Sequence, residues 1–356
     1  MRLCRYYLDH FGAILHHNVD KILLCGGAAR PAFGGGEVLE PIEVYLAGRA
    51  THEHRGTRIP VHDIAIAACR DWLRTHLGAV DVNRHARIVS RLGPGSTDLT
   101  RIFASGGDRA LANDTSCGAG FAPLTDLEKA VLAVERALNS RDTKRAHPEI
   151  GEDIKVMGVR HERRIHLTIS CAFVGRFVSD LDDYTRKSAA ARALAVAAAH
   201  TATTLDVDAT INAADDLDRG HVFLTVTGTS AEAGDDGEVG RGNRTCGLIT
   251  PYRVMTLEAA AGKNPATHVG KLYSLLAGRI ASSVATELHG IEDASCVMVS
   301  PIGRPVDDPQ LVDIRLVADD ALSGALRAAV ADIVRSKLGQ VGALREDLLA
   351  ERLTLY

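Results

Sequence analysis

The sequence predicts a mixed α/β protein in which antiparallel hairpins are backed by amphipathic helices, and three stretches carry that expectation. "RIHLTISCAFV", residues 164–174, places Ile165, Leu167, Ile169, Cys171 and Phe173 on one face and His166, Thr168 and Ser170 on the other, the period of two that marks a half-buried strand. "TDLEKAVLAVERALNS" opens with Thr125 and Glu128 at capping-box spacing, then lines Leu127, Val131, Val134 and Leu138 along one helical face. "NPATHVGKLYSLLAGRIASSVATEL" repeats the helical period at Val269, Leu272, Tyr273, Leu276, Ile280 and Val284.

Taken in chain order, "PVHDIAIAACRDWL" reads as a helix and "ARIVS" as a strand that runs into the turn "GPGSTD", residues 93–98. "DIKVMGVR" and "RIHLTISCAFV" flank the polar "HERR" and form a hairpin. "HVFLTVT" alternates at Val222, Leu224 and Val226 and predicts a strand leading into an acidic, glycine-rich stretch. Pro265 is expected in the first turn of the helix that follows, where a missing N–H costs nothing. "VDIRLV" reads as a strand with Val312, Ile314 and Leu316 inward, and "GALRAAVADIVRSKL" as a closing helix. No short repeat marks a solenoid and no linker divides residues 1–356, so a single unit is expected.

Composition narrows the function classes. The 45 acids against 41 Lys and Arg leave a formal charge of −4, so no global basic field points to nucleic acid. Seven scattered cysteines without a Cys-x-x-Cys pair suggest neither a disulfide framework nor a zinc knuckle, and fit a reducing, cytoplasmic compartment. "MRLCRYYLDHFG" carries Asp9 and His10 where an export signal keeps an apolar core, and "SAAARALAVAAAH" is too short to span a bilayer. The expectation is a soluble protein that is not exported.

The candidate chemistry lies in loops. In "TGTSAEAGDDGEVGRGNRTCGLITP", residues 227–251, Glu232, Asp235 and Asp236 share a glycine-loosened segment with Arg241 and Arg244. Asp235 and Asp236 are hard oxygen ligands suited to magnesium, and Arg241, Arg244 and Lys263 are fixed cations suited to phosphate; a magnesium polyphosphate satisfies both sets. The loop Gly93, Pro94, Gly95, Ser96, Thr97, Asp98 would let backbone N–H groups approach an anion, although a Gly-Pro-Gly turn is more often only a turn and this one is neither a Walker loop nor a dinucleotide fingerprint. "NDTSCGAGFAP" sets Asn113, Asp114, Thr115 and Ser116 beside Gly118 and Gly120, a loop able to fold over a polar ligand or simply an Asx-turn. The charged run before Lys155 in "GEDIKVMG" reads as a solvated edge, although the alternating segment could also turn Lys155 inward, and Glu37 in "FGGGE" could hold an ammonium or sit on a surface turn.

Read together, "ILHHNVDK", "FGGGEV", "GPGS", "NDTS", "GEDIKVMG", "GTSAEAGDDGEVGRGNR", "GLITP" and "EAAAGKNPATHVGKLY" resemble, in that order, the archaeal-type S-adenosylmethionine synthetases (methionine adenosyltransferases). The resemblance implies three interleaved, pseudo-threefold α/β subdomains, a homodimer with active sites between subunits, ATP and methionine as substrates, magnesium, and potassium as a candidate monovalent ion. It implies catalytic roles for Lys155, Asp235, Arg241 and Lys263, and nucleotide contacts from residues 93–98, Asp114 and Arg244. Glu37 and Asp114 resemble methionine-binding groups, and Asp236 is the candidate metal ligand. No nucleic-acid or membrane partner is implied.

The family begins with a Gly-His-Pro-Asp motif that this chain does not contain, so the expectation is a misassigned or truncated start, with reduced stability relative to a chain extended upstream. The alternative is a catalytically silent ATP- or S-adenosylmethionine-binding subunit that pairs with a full-length synthetase. Kinase chemistry is disfavoured, because neither a Walker loop nor a kinase catalytic loop occurs.

Overall fold

The computed structural model describes residues 1–95, 110–239, 244–319, 321, 323–353 and 355. The chain runs through α1 (Arg2–Phe11), β1 (His17–Cys25), β2 (Ala28–Ala32), β3 (Gly35–Glu40), β4 (Ile42–Ala50), β5 (Glu53–His54), β6 (Thr57–Arg58), α2 (Val61–His76), α3 (Val82–His85) and β7 (Ala86–Gly93). After β8 (Ser116–Ala122) come α4 (Asp126–Leu138), α5 (Arg141–Ala146), β9 (Ile150–His161), β10 (Arg164–Val174), α6 (Leu181–His200) and β11 (Asp206–Ile211). The last part holds β12 (Leu224–Thr225), β13 (Gly237–Glu238), α7 (Val269–Glu287), β14 (Ile291–Ser300), β15 (Leu311–Ala318), α8 (Gly324–Leu338) and α9 (Val341–Leu349).

These strands form three larger sheets, each with helices on one face, which is the α/β architecture the alternation predicts. The first has the order β13-β1-β4-β7, with β1 antiparallel to β4 and β13 and β4 parallel to β7. α2 covers it and α1 packs on α2. The second centres on β10, antiparallel to β9 and parallel to β11 and β12. Its inward residues Ile165, Leu167, Ile169, Cys171 and Phe173 are completely buried beneath α4 and α6, and the Thr125–Glu128 capping box opens α4 as expected.

The third sheet, β15-β14-β8, takes one strand from the middle of the chain and two from its end. α7 lies directly on it. A Cβ at Gly118 would sit 2.2 Å from the Ser274 nitrogen, and one at Gly120 would sit 2.1 Å from the Gly278 nitrogen. These glycines therefore admit a helix backbone onto a strand, and they do not form the ligand loop that "NDTSCGAGFAP" suggested. Arg253 links the second and third layers: its guanidinium meets Glu128 of α4 in a two-pronged pair at 3.0 and 2.9 Å and also reaches Asp293 of β14.

Two local expectations need correction. "HVFLTVT" contributes only Leu224–Thr225 to a sheet, because carboxylates take the neighbouring donors: Asp215 accepts from the Phe223 N–H at 3.0 Å, and Glu232 from those of Val226 and Thr227. α7 starts at Val269 rather than around Pro265, because the Asn264 side chain accepts from the Ala266 N–H at 2.9 Å and His268 Nδ1 caps the helix through the Gly270 N–H at 3.1 Å. Of the two readings open for Lys155 the structure takes the solvated edge: it points outward from β9, its side chain 61% exposed. Among the described residues, no helix is long and apolar enough to cross a membrane.

Candidate functional site

The head of α7 meets the start of β1 through backbone pairing. The Val19 N–H donates to the Gly262 carbonyl at 3.0 Å, and the Asn264 N–H donates to Asn18 Oδ1 at 3.1 Å. Gly262 has φ of 73°, and a Cβ there would lie 1.9 Å from the Val19 carbonyl oxygen, so only glycine permits this approach. The pairing fixes Lys263 beside β1. Its ammonium is buried, 3.3 Å from Asp20 and 2.8 Å from Glu258.

A second lysine shares the enclosure. Lys271, two residues into α7, is 3% exposed. Burial pulls its pKa down to about 8; the nearby Cys4 and Asp20 oppose this and Lys263 reinforces it. Burial by itself would raise the Asp20 carboxyl, yet the hydrogen bond from Lys21 and the charge of Lys263 hold it below the usual range.

Histidines complete this cluster. Because His268 Nδ1 accepts from Gly270, the neutral ring carries its proton on Nε2, which faces Asp114 Oδ2 at 3.5 Å. That hydrogen bond is the leading cause of the lowered Asp114 pKa. His17 is fully buried and held neutral, its pKa pushed to about 3; it faces the Leu15 carbonyl at 2.9 Å and the Cys4 sulfur at 3.1 Å. The loop after β7 lies against His16, since a Cβ at Gly95 would be 2.7 Å from the ring. Asp114, Gly95 and Lys263, far apart in sequence, thus surround one place.

A different group forms at the other end of β1. Ser230 donates to Asp153 Oδ2 from its N–H at 2.8 Å and also through its hydroxyl, and Lys155 lies 3.5 Å from Asp235 and 3.4 Å from the Ser230 hydroxyl. Glu232 is a structural acceptor here: it takes the Val226 N–H at 2.7 Å, the Thr227 N–H at 2.6 Å and the Thr227 hydroxyl at 2.5 Å. The Gly27 N–H reaches the Ala231 carbonyl at 2.8 Å, which ties this loop to the end of β1. From Asp20 to Gly26 an extended strand spans about 20 Å. Within one chain, therefore, Lys263 does not join Lys155 and Asp235.

The remaining sequence candidates are placed as follows. Glu37, on β3, pairs with Arg30 at 2.7 Å on an exposed hairpin. Arg244 donates to the carbonyls of Val254 (3.3 Å), Leu248 (3.1 Å), Thr250 (3.2 Å) and Arg253 (3.0 Å), so its guanidinium is occupied in bracing the segment 248–254. Gly93 closes β7, Pro94 follows it, and Asp236 is exposed. Ser96, Thr97, Asp98 and Arg241 lie outside the described residues. No group of three or more His, Cys, Asp or Glu suited to a metal occurs among the described residues.

Sequence reasoning missed Asp20, Glu258 and Lys271. The first two meet Lys263 only through the tertiary pairing of α7 with β1. Lys271 did leave a signal: it sits inside "VGKLYS", whose six residues are all buried, and a lysine amid such neighbours needs a reason.

The chain is similar to known proteins over most of its length. The family model for S-adenosylmethionine synthetase (AdoMet synthetase) matches residues 1–352. The chain is 51% identical over 317 residues to a probable S-adenosylmethionine synthase of Aquifex aeolicus, covering 88% of this chain and 79% of that protein. It is 47% identical over 360 residues to the S-adenosylmethionine synthase of Pyrobaculum neutrophilum, covering 99% of this chain and 90% of that one. A solved S-adenosylmethionine synthetase from Campylobacter jejuni has a similar fold, with a TM-score of 0.58 at 14% identity over 93% of this chain and 81% of that one.

Proposed function

The chain belongs to the S-adenosylmethionine synthetase family, and from that premise we propose that the lysine cluster at the head of α7 seats the triphosphate of ATP. The enzyme is a methionine adenosyltransferase that forms S-adenosylmethionine from ATP, methionine and water, releasing phosphate and pyrophosphate. A lone pair on the methionine sulfur forms the bond to ribose C5′, and the C5′–O bond breaks with its electrons leaving on tripolyphosphate. Water then splits the tripolyphosphate. The thioether is already a competent neutral nucleophile, so the first step needs no base; its demand is for positive charge facing the leaving group.

The observation that carries this reading is the pair of buried lysines. Burial makes the Lys271 ammonium costly to keep, Asp20 offsets only part of that cost, and an entering anion would lower it further. Buried charge also acts through a lower dielectric than surface charge, so Lys263 and Lys271 can stabilise the departing triphosphate strongly. Asp114, held ionised by His268, and the Gly93–Gly95 turn flank the same place as nucleotide contacts.

The family generally uses metal ions, and we assign magnesium. Asp20 and Glu258 are the carboxylates that would hold it: both converge on the one Lys263 ammonium, and magnesium needs only one or two carboxylates when phosphate oxygens supply other ligands. Bound there, the ion would neutralise charge on the leaving group. Asp236 stands apart from this set.

The second cluster, with Lys155, Asp235 and the Glu37 hairpin, is assigned to an active site completed by another copy of the chain. Two features support a homodimer with shared sites: the span of about 20 Å along β1, and the exposed apolar side chains of Ile249, Tyr252, Met255 and Leu257 on one short segment. Seven free cysteines agree with a cytoplasmic setting.

Binding of inorganic tripolyphosphate tests the assignment. Lys263→Met is expected to weaken it by about a hundredfold, the worth of a charge-assisted contact with a desolvated anion. Unchanged affinity would move the triphosphate elsewhere.

A further inference from the structure

A neutral polar lining lies beside the lysines and has no hydrogen-bond partner among the described residues. Asn113 is 3% exposed, and both its Oδ1 and its Nδ2 lack a hydrogen bond. Two buried hydroxyls, Thr267 Oγ1 and Ser116 Oγ, are unpaired as well. They belong to one locality: the Asn113 N–H donates to the Thr267 carbonyl at 3.1 Å, and Ser116 Oγ lies 2.9 Å from the position of a Cβ on Gly270. Asp114 and His268, which meet at 3.5 Å, are the chain neighbours of Asn113 and Thr267.

Polar groups this deeply buried are nearly always satisfied, so orphans gathered in one place point to a ligand that satisfies them. None of the three side chains is charged. These three groups pair best with neutral donors and acceptors, while the charged part of the same ligand meets the lysines beside them. An amide offers an acceptor and a donor side by side. Its complement is a ring edge carrying an amine next to an unprotonated ring nitrogen, the pattern adenine presents.

We propose that Asn113 is a specificity-determining residue that reads the amine-and-ring-nitrogen edge of the adenine of ATP, with the Thr267 and Ser116 hydroxyls beside it. This rests on the seating of the triphosphate at Lys263 and Lys271, which puts the rest of the nucleotide in the same enclosure. It assigns base recognition to a loop whose glycines serve another purpose, the packing of α7.

The test is equilibrium binding of two nucleotides in the absence of methionine: ATP, and purine riboside 5′-triphosphate, which lacks the 6-amino group. Wild-type chain is compared with Asn113→Leu, and with Asn113→Ala should the larger side chain prevent folding. ATP affinity is expected to fall about tenfold or more in the variant, whereas the already weaker purine nucleotide loses much less. The melting temperature of the ligand-free variant is expected to stay level or rise, since an unpaired buried amide has been removed. Equal losses for both nucleotides, or a lowered melting temperature with unchanged ATP affinity, would overturn the proposal. Tripolyphosphate binding to the same proteins separates the two assignments. Its failure on the wild type would remove the triphosphate seat, while the contrast between the two nucleotides would still decide for or against Asn113.

Discussion

Replacing Lys271 by Met should make the ligand-free protein more stable while impairing its function. The pKa of this lysine lies at about 8 in the fold against 10.5 in the unfolded chain. A difference of about 2.5 units, at 1.36 kcal/mol each, makes the buried proton cost about 3 kcal/mol. The unfolded chain binds that proton more tightly, so the cost is complete below about pH 8, shrinks as pH rises, and is gone above about pH 10.5. Methionine keeps the length and apolar stem of lysine without the charge. Urea unfolding at pH 7 is therefore expected to show Lys271→Met more stable by about 3 kcal/mol, with the advantage narrowing steadily toward pH 10. Tripolyphosphate at about a hundred times its dissociation constant should return some 2.7 kcal/mol to the wild type and little to the variant. A variant less stable at pH 7, or an advantage independent of pH, would refute the reasoning.

Three further outcomes are expected. Glu232→Ala removes the acceptor of two backbone N–H groups and a hydroxyl, and should lower unfolding stability by about 3 kcal/mol; a loss under 1 kcal/mol in denaturant titration would show that water replaces the carboxylate. Gly120→Val forces α7 off β8 and should cost about 3 kcal/mol or more, visible as a lower melting temperature, whereas unchanged melting would mean that the helix yields freely. Leu257→Asp places a charge in the exposed apolar segment; sedimentation should show the wild type as a dimer and the variant shifted toward monomer, with turnover falling in step. A monomeric wild type with full activity would end the shared-site proposal.

How far the sequence reached depended on the range of the interactions involved. The alternation in "RIHLTISCAFV" and the capping box of α4 are local, and both appear in the structure residue for residue. "HVFLTVT" has the same alternation, yet Asp215 and Glu232 capture its N–H groups, a competition that hydropathy does not record. The glycines of "NDTSCGAGFAP" look like ligand-loop glycines because a close approach by a helix and one by a ligand demand the same residue. Asp20 and Lys263 lie far apart in sequence, and only the backbone pairing of Val19 with Gly262 brings them together. The order of eight motifs indicated the family, which the comparisons bear out, while it offered no hint that Arg244 spends its donors on backbone carbonyls.

That use of Arg244 has a consequence for association. Tyr252 stands in the left-handed region at φ of 62° with its side chain in water, a conformation that costs about 1 kcal/mol for a residue with a Cβ. An unbraced loop would relax and fold its apolar side chains back. Four carbonyls held by one guanidinium prevent that, so the freedom a docking surface normally surrenders on encounter has already been surrendered when the chain folds. In the homodimer proposed above, the subunits would then meet as rigid bodies, and loosening Arg244 should slow their assembly before it touches the chemistry.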